Sequence, residues 1–309
     1  MPLGLGLASS HAPNMFVPAD KWDIRYRHST GSVPQPTEAE GETEEVVRGF
    51  VVRIENGFQE LRSQLCTYQP DVVVIVSDDQ GEVFDREACM PSLALCGAAE
   101  LWGSLGLDWI GPEGSRRIDL PGHSELAAHL AGKLVQRGFD LTYLPTFKPM
   151  GRPGRGLSHG FVRPAPKLLP SPDTPIVPIL LNCYYPPLPT AKRCFELGLA
   201  LGELLAERPE RIAIYGSGGL SHDPGGPRAG WIDEPLDRFV LQALQDGKPE
   251  QLLGLYTVDS ETMRGGTGEI RNWIVVAGAM ARRKAVVVDY IPAHRAVTGL
   301  GFAYWPESA

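Results

Sequence analysis

Several absences narrow the reading of this sequence before any motif is used. No apolar run reaches the roughly 20 residues that a membrane-spanning helix requires, and the first residues carry no charged segment followed by an apolar stretch, so neither a span nor a leader is expected. No cluster of Lys and Arg stands out against a formal net charge of -8, which argues against nucleic acid or an anionic membrane surface as partner. Cys-x-x-Cys pairs are missing, and the five cysteines, at 66, 89, 96, 183 and 194, are odd in number and irregularly spaced. That favours reduced, mostly buried thiols over a disulfide framework or a structural zinc cluster, and with no span or leader expected a cytoplasmic protein is expected. The glycine-rich turn Gly216-Ser217-Gly218-Gly219 has neither Rossmann spacing nor a Walker lysine. Ser221-His222-Asp223 lacks a nucleophile elbow, so a serine-hydrolase triad is not indicated there.

What is present is the material of one large core. A chain of 309 residues with 43% hydrophobic content can bury a full interior, and no interdomain linker or repeat interrupts it, so residues 1–309 are read as one domain. Apolar β-branched runs alternate with amphipathic stretches, the pattern of an α/β domain with a central mixed or mostly parallel sheet flanked by helices. Asp71 to Val76 is the clearest strand, because an unbroken β-branched run suits a centre buried on both faces. Residues 139–144, 174–181 and 211–216 read as further strands, and residues 43–65, 124–138, 191–208 and 267–280 as helices. Pro13 to Glu45 and Lys148 to Pro172 read as long loops of the kind that form binding walls or lids. The chemistry-bearing residues fall just past strand ends or at helix starts, so the site is expected at the strand C-terminal ends.

These residues form an ordered set. His11 lies in Ser9-Ser10-His11-Ala12-Pro13, and His159 in Leu157-Ser158-His159-Gly160 with Pro164 following. Asn182-Cys183-Tyr184-Tyr185-Pro186-Pro187 precedes Lys192-Arg193-Cys194-Phe195. His222 closes Gly216-Ser217-Gly218-Gly219-Leu220-Ser221-His222, with Arg228 in Gly226-Pro227-Arg228-Ala229-Gly230, and Glu269 stands four residues before Trp273. In this order the motifs resemble class III extradiol ring-cleavage dioxygenases, with the pattern of the catalytic β subunits of protocatechuate 4,5-dioxygenase and gallate dioxygenase.

The resemblance implies a non-haem Fe(II) enzyme that opens a small dihydroxylated aromatic or heteroaromatic ring with O2. It implies His11 and Glu269 as metal ligands, His159 and His222 as acid/base residues, and Ser221, Arg228 and His123 at the substrate. Fe(II) chemistry needs neutral imidazole and carboxylate on one face with adjacent positions open. A histidine near neutrality can take a proton from a substrate hydroxyl. The family's second ligand histidine falls at position 80, where this chain has Gln80 in Ser77-Asp78-Asp79-Gln80. Gln80 itself, Asp79, Asp78 or His28 could complete the donor set, another divalent ion could replace iron, or no metal could bind. In the last case the pocket would serve an oxygen-independent hydrolase or lyase, or a non-catalytic subunit. His123, at a helix start, is equally read as a cap. Arg25, Arg27, Arg155, Arg163 and Arg228 could gather locally around an anionic substrate despite the net negative charge. The resemblance further implies a homodimer, or association with a small α subunit.

Overall fold

The computed structural model describes residues 3–281 and 283–307. Ten strands form: β1 (Leu3–Ser9), β2 (Val72–Ser77), β3 (Leu93–Cys96), β4 (Glu100–Ser104), β5 (Arg117–Pro121), β6 (Thr142–Leu144), β7 (Ile176–Leu181), β8 (Ile212–Ser217), β9 (Val286–Ala293) and β10 (Thr298–Trp305). Eight of them make one sheet in the order β6-β3-β7-β2-β8-β1-β10-β9, and β4 and β5 pair separately. The centre, β7-β2-β8-β1, is parallel throughout, while β10 runs antiparallel to β1 and β3 antiparallel to β7. The sheet is therefore mixed with a parallel core, as the alternating pattern predicts.

Burial follows the two-residue period of a strand. Val72, Val74 and Val76 enter one core and Val73 and Ile75 the other, all with at most 1% exposure. Helices cover both faces. Among the described residues six helices are eight residues long or longer: α1 (Trp22–Thr30), α2 (Glu44–Tyr68), α3 (Ser124–Gln136), α4 (Ala191–Ala206), α5 (Glu234–Gln245) and α6 (Ile270–Ala279). On one face α2 lays Ile54, Phe58, Leu61 and Leu65 against the sheet; on the other, α3, α4, α5 and α6 contribute Leu130, Leu201, Val240 and Ile274. Thr43 caps α2, its side chain accepting the Val46 N–H. No described helix is long and apolar enough to cross a membrane.

Two segments differ from their sequence expectation. The stretch 13–45, read as loop, contains α1, because Trp22 is buried at 1% exposure and anchors an otherwise polar helix that carries no apolar stripe for a pattern to find. Residues 148–172 hold two short helical turns, His159–Val162 and Ala165–Leu168, which pack Phe161, Val162 and Leu168 into the core. Of the cysteines, Cys96, Cys183 and Cys194 are buried, Cys66 and Cys89 are exposed, and all five are free.

The crossing of α4 and α6 fixes the helix that follows Glu269. A Cβ at Gly198 would collide with the Val275 carbonyl and come within 2.9 Å of the Gly278 Cα, so the two backbones touch where side chains would hold them apart. Gly198→Ala is expected to lower unfolding free energy by about 1–3 kcal/mol, the cost of overpacking a closed contact, as read from urea denaturation.

Candidate active site

The four parallel central strands deliver the site from their C-terminal ends, where open α/β sheets leave a crevice. His11 follows β1, Asp78 and Gln80 follow β2, Tyr184 follows β7, and His222 follows β8. Glu269 ends a 3-10 turn, Gly265–Glu269, that leads directly into α6. His159 opens the short turn at 159–162. Together with Arg25, Arg152, Arg155, Arg163 and Asp108, most of these residues line a cavity of about 380 Å³.

Hydrogen bonds set the tautomer of each histidine. Ser217 Oγ lies 2.6 Å from the Gly160 carbonyl and 3.0 Å from His11 Nδ1. A hydroxyl has one proton, which goes to the carbonyl, so Ser217 accepts from His11 and the proton sits on Nδ1. His11 Nε2 is left with a bare lone pair and no hydrogen-bond partner, although the residue is buried. Burial pulls the His11 pKa down to about 3, so the ring is neutral. His159 Nδ1 is 2.8 Å from Glu82 Oε1, and His222 Nδ1 is 2.9 Å from the Leu220 carbonyl. Both partners accept, so both rings hold the proton on Nδ1 and turn Nε2 to the other side.

Glu269 is fully buried and held by three donors. Gly219 N–H donates to Oε2 at 2.7 Å, Tyr184 Oη–H to Oε1 at 2.5 Å, and the Gln80 side-chain amide to Oε1 at 3.3 Å. Its Oε2 is 3.5 Å from His11 Nε2, and its Oε1 is 3.5 Å from His222 Nε2. Burial opposes ionisation, but His222 facing Oε1 and the Tyr184 hydrogen bond hold the carboxyl below the usual range. Burial likewise opposes charge on His222, and Glu269 more than offsets it, raising that imidazole. His159 is lowered by burial and by Arg163. Burial alone would raise Glu82, yet His159 and Arg152 beside it keep its carboxyl ionised.

The acidic pair before Gln80 divides its tasks. Asp79 accepts the backbone N–H groups of Glu82, Val83 and Phe84 at 2.8–3.0 Å, so its carboxylate is committed to the turn that places Glu82. Asp78 is fully buried, its Oδ1 is 3.7 Å from His11 Nε2, and its Oδ2 has no hydrogen-bond partner. Burial and the charges of Glu269 and Glu82 push Asp78 well above the usual carboxylate range. Donor atoms of His11, Asp78 and His159 lie within 4.8 Å of one another. Two buried atoms with lone pairs and no partner, among neutral imidazoles and carboxylates, suit a divalent cation.

Of the residues that the sequence nominates, His11, His159, His222, Glu269 and Gln80 converge on the cavity. Ser221, Arg228 and His123 do not line it. Ser221 gives its N–H and Oγ–H to Asp237 at 2.8 and 2.9 Å, and with Arg228 it borders a separate small cleft. His123 Nδ1 accepts the Leu126 N–H and caps α3. His28 is exposed near the end of α1 and does not line the cavity. Sequence reasoning missed Glu82 and Arg152 as site residues and gave Tyr184 no role. Glu82 has no motif around it, whereas Tyr184 stands inside the Asn182-to-Pro187 motif, which could have flagged it.

Residues 27–302 match the family described as catalytic LigB subunit of aromatic ring-opening dioxygenase, and the chain belongs to it. It is 32% identical over 178 residues to gallate dioxygenase of Pseudomonas putida, covering 55% of this chain and 50% of that protein. It is 30% identical over 185 residues to a 2,3-dihydroxyphenylpropionate/2,3-dihydroxicinnamic acid 1,2-dioxygenase of Photorhabdus laumondii, covering 60% and 53%. The match thus spans about half the length of these curated relatives. The crystal structure of the uncharacterized protein JW3007 from Escherichia coli K12 shares the fold, with a TM-score of 0.53, 16% identity and coverage of 97% of this chain and 99% of that one.

His123→Ala is expected to cost about 1 kcal/mol of stability through the lost cap while leaving substrate KM unchanged. Chemical denaturation beside steady-state kinetics checks both halves.

Proposed function

We propose that this chain is an extradiol-type ring-cleaving dioxygenase that uses O2 and non-haem Fe(II) on a single-ring dihydroxylated aromatic bearing a carboxylate. The observation that carries this reading is the convergence of three histidines, each hydrogen-bonded through Nδ1, and a buried carboxylate at one cavity. Both oxygen atoms enter the product, one ring C–C bond breaks, and the four electrons that O2 takes up come from the ring, so no external reductant is needed. Fe(II), when bound, supplies the one-electron chemistry that lets a closed-shell catechol react with triplet O2. His11 and Glu269 hold the ion.

The remaining groups manage protons and orientation. His222 takes a proton from a substrate hydroxyl on Nε2, while the Leu220 carbonyl holds the Nδ1 proton and so fixes the ring. His159 is aligned by Glu82 as the second proton-transfer group. Tyr184, between Glu269 and His222 Nε2 at 3.4 Å, keeps the carboxylate turned inward. A cavity of about 380 Å³ accommodates one ring with a short substituent.

The cavity wall supports an anionic substituent. Arg155 is ion-paired with Asp108, and Arg152 lies 3.5 Å from Glu82. Among the described residues neither Arg25 nor Arg163 makes an ion pair; Arg163 donates only to the Leu105 and Gly106 carbonyls, at 2.8 and 3.2 Å. Burial pulls the Arg163 guanidinium down to about 9, which still leaves it charged at neutral pH. Two uncompensated cations facing a polar cavity favour a carboxylate between them. Gallate and 2,3-dihydroxyphenylpropionate, named for the relatives, both carry one.

Anaerobic reconstitution with Fe(II), followed by oxygen uptake over catechols, gallates and dihydroxypyridines, tests the reading. Uptake with ring-opened product is expected, and no uptake from any of them would sink it. His222→Ala should lower kcat by about 10²–10⁴, the range of a lost general base. Arg25→Gln should raise KM for a carboxylated catechol about 10- to 100-fold, the loss of about 1.5–3 kcal/mol from a hydrogen bond to a charged group, and leave the KM of its methyl ester unchanged.

A further inference from the structure

The imidazole missing at position 80 leaves one ligand place to account for, and the candidates can be separated by what each is already bonded to. Gln80 turns the N–H end of its amide to Glu269 Oε1 at 3.3 Å; the reverse orientation would set its carbonyl oxygen against a carboxylate. Its main-chain N–H and C=O are held by Glu82 and Arg152 at 2.9 and 2.6 Å. Gln80 therefore braces Glu269, and the same amide reaches Asp78 as a donor and not as a ligand oxygen. Asp79 spends its carboxylate on three amides, and His28 is exposed and does not line the cavity. Asp78 is the group left over: 0% exposed, one oxygen without any partner, the other 3.7 Å from the equally unpartnered His11 Nε2.

Ser77 does not satisfy it. The Ser77 hydroxyl is 3.4 Å from Asp78 Oδ1 but 3.1 Å from the Ser217 carbonyl, and one proton serves the nearer acceptor. Nor does a described Arg or Lys pair with it. A buried carboxylate in that position is costly unless something cationic meets it.

We propose that Asp78 is a metal ligand of this chain, completing with His11 and Glu269 a one-imidazole, two-carboxylate donor set in place of the two-imidazole, one-carboxylate set. The proposal rests on the reading above that the cavity binds a divalent ion. Donors about 2.0–2.2 Å from one ion lie about 3–4 Å apart, and both carboxylates approach His11 Nε2 within that span, at 3.7 and 3.5 Å; Asp78 and Glu269 have still to close on the ion, because the donors that all lie within 4.8 Å of one another are those of His11, Asp78 and His159. Two anionic oxygens neutralise a divalent charge where an imidazole would not. They also move the preference toward oxygen-seeking ions such as Mn(II) and Fe(II) and away from softer ones.

Binding of the metal alone tests this without turnover. Chelator-stripped full-length protein is titrated with Mn(II), with free Mn(II) read by electron paramagnetic resonance and heat by calorimetry. One ion per chain is expected. Asp78→Asn should weaken it at least about tenfold and Gln80→Ala less than about threefold, the loss of a ligand against the loss of a brace. Circular dichroism and thermal unfolding confirm that each variant folds. Asp78→Cys loaded with Co(II) gives a second, direct readout: a thiolate-to-cobalt charge-transfer band in the near ultraviolet that Co(II)-loaded wild type, with its five free cysteines, does not show is expected where residue 78 touches the ion. Equal Mn(II) affinity in wild type and Asp78→Asn, or no such band, overturns the proposal. Wild type that binds no ion overturns it together with the metal part of the functional reading. Ion binding that depends on Asp78, without oxygen uptake from any catechol, sinks ring cleavage and leaves the ligand assignment standing.

Discussion

Ser217 has one hydroxyl proton, and its position 2.6 Å from the Gly160 carbonyl decides where that proton goes. The same oxygen must then accept from His11 Nδ1, and His11 Nε2 becomes a lone pair with nothing to bind. Everything at the cavity floor is arranged around that atom. Asp78 approaches it from the end of β2 and Glu269 from the turn that leads into α6, and the His159 ring meets the His11 ring edge-on at 4.9 Å between centroids. The sheet makes this possible because Ser9 of β1 is in register with Ser217 of β8, so the residue two places beyond one strand end meets the last residue of the next. A slip of one residue would turn Ser217 to the other face and remove the acceptor.

Charge is stacked in two layers above that floor. Deepest lie the carboxylates of Asp78, Glu269 and Glu82, with imidazoles among them; farther along the wall stand Arg25, Arg152, Arg155 and Arg163. Like charges in a buried group repel strongly, and desolvation adds to the cost, so such a floor persists only where the rest of the fold holds it. Asp79 shows one means: its three backbone hydrogen bonds lock the turn that presents Glu82 to His159. The contact of α4 with α6 shows another, since it fixes the helix that begins directly after Glu269. Strain of this kind, localised at strand ends over a well-packed interior, is where functional demands and stability diverge.

Much of the scaffold was legible because its elements announce their own periods. The β-branched run of β2 and the helical spacing of α2 and α4 need no tertiary knowledge. β1 and β10 were not legible in the same way: Gly4, Gly6, Gly299 and Gly301 interrupt their apolar runs. Those glycines answer to neighbours far along the chain, such as Tyr68 beside Gly4 and Met280 beside Gly6. At the site, His11, His159, His222 and Glu269 stood in recognisable settings and do meet. Ser221 and Arg228 stood in equally recognisable settings and face elsewhere, because a motif reports which residues are neighbours in sequence and not which side of the turn they take. Glu82 and the Asp78–Asp79 division depend on hydrogen bonds that only the folded turn creates.

The exchange of an imidazole for Gln80 is best understood through the groups that its amide meets. A histidine at 80 would bring a neutral nitrogen donor; the amide brings N–H, which stabilises the Glu269 anion that a cation would otherwise have to stabilise alone. The exchange itself adds no charge; a second carboxylate ligand at Asp78 would leave the ion-bearing floor less cationic than one carboxylate does. A less cationic floor attracts a carboxylated ring less, and under the proposed function the unpaired Arg25 and Arg163 offset that loss by holding the substituent at the wall, with the ring's hydroxyls directed inward. The acidic floor and the basic wall are thus linked: the closer the donor set comes to two carboxylates, the more binding of an anionic ring depends on uncompensated arginine, which is the distribution of charge that this cavity has.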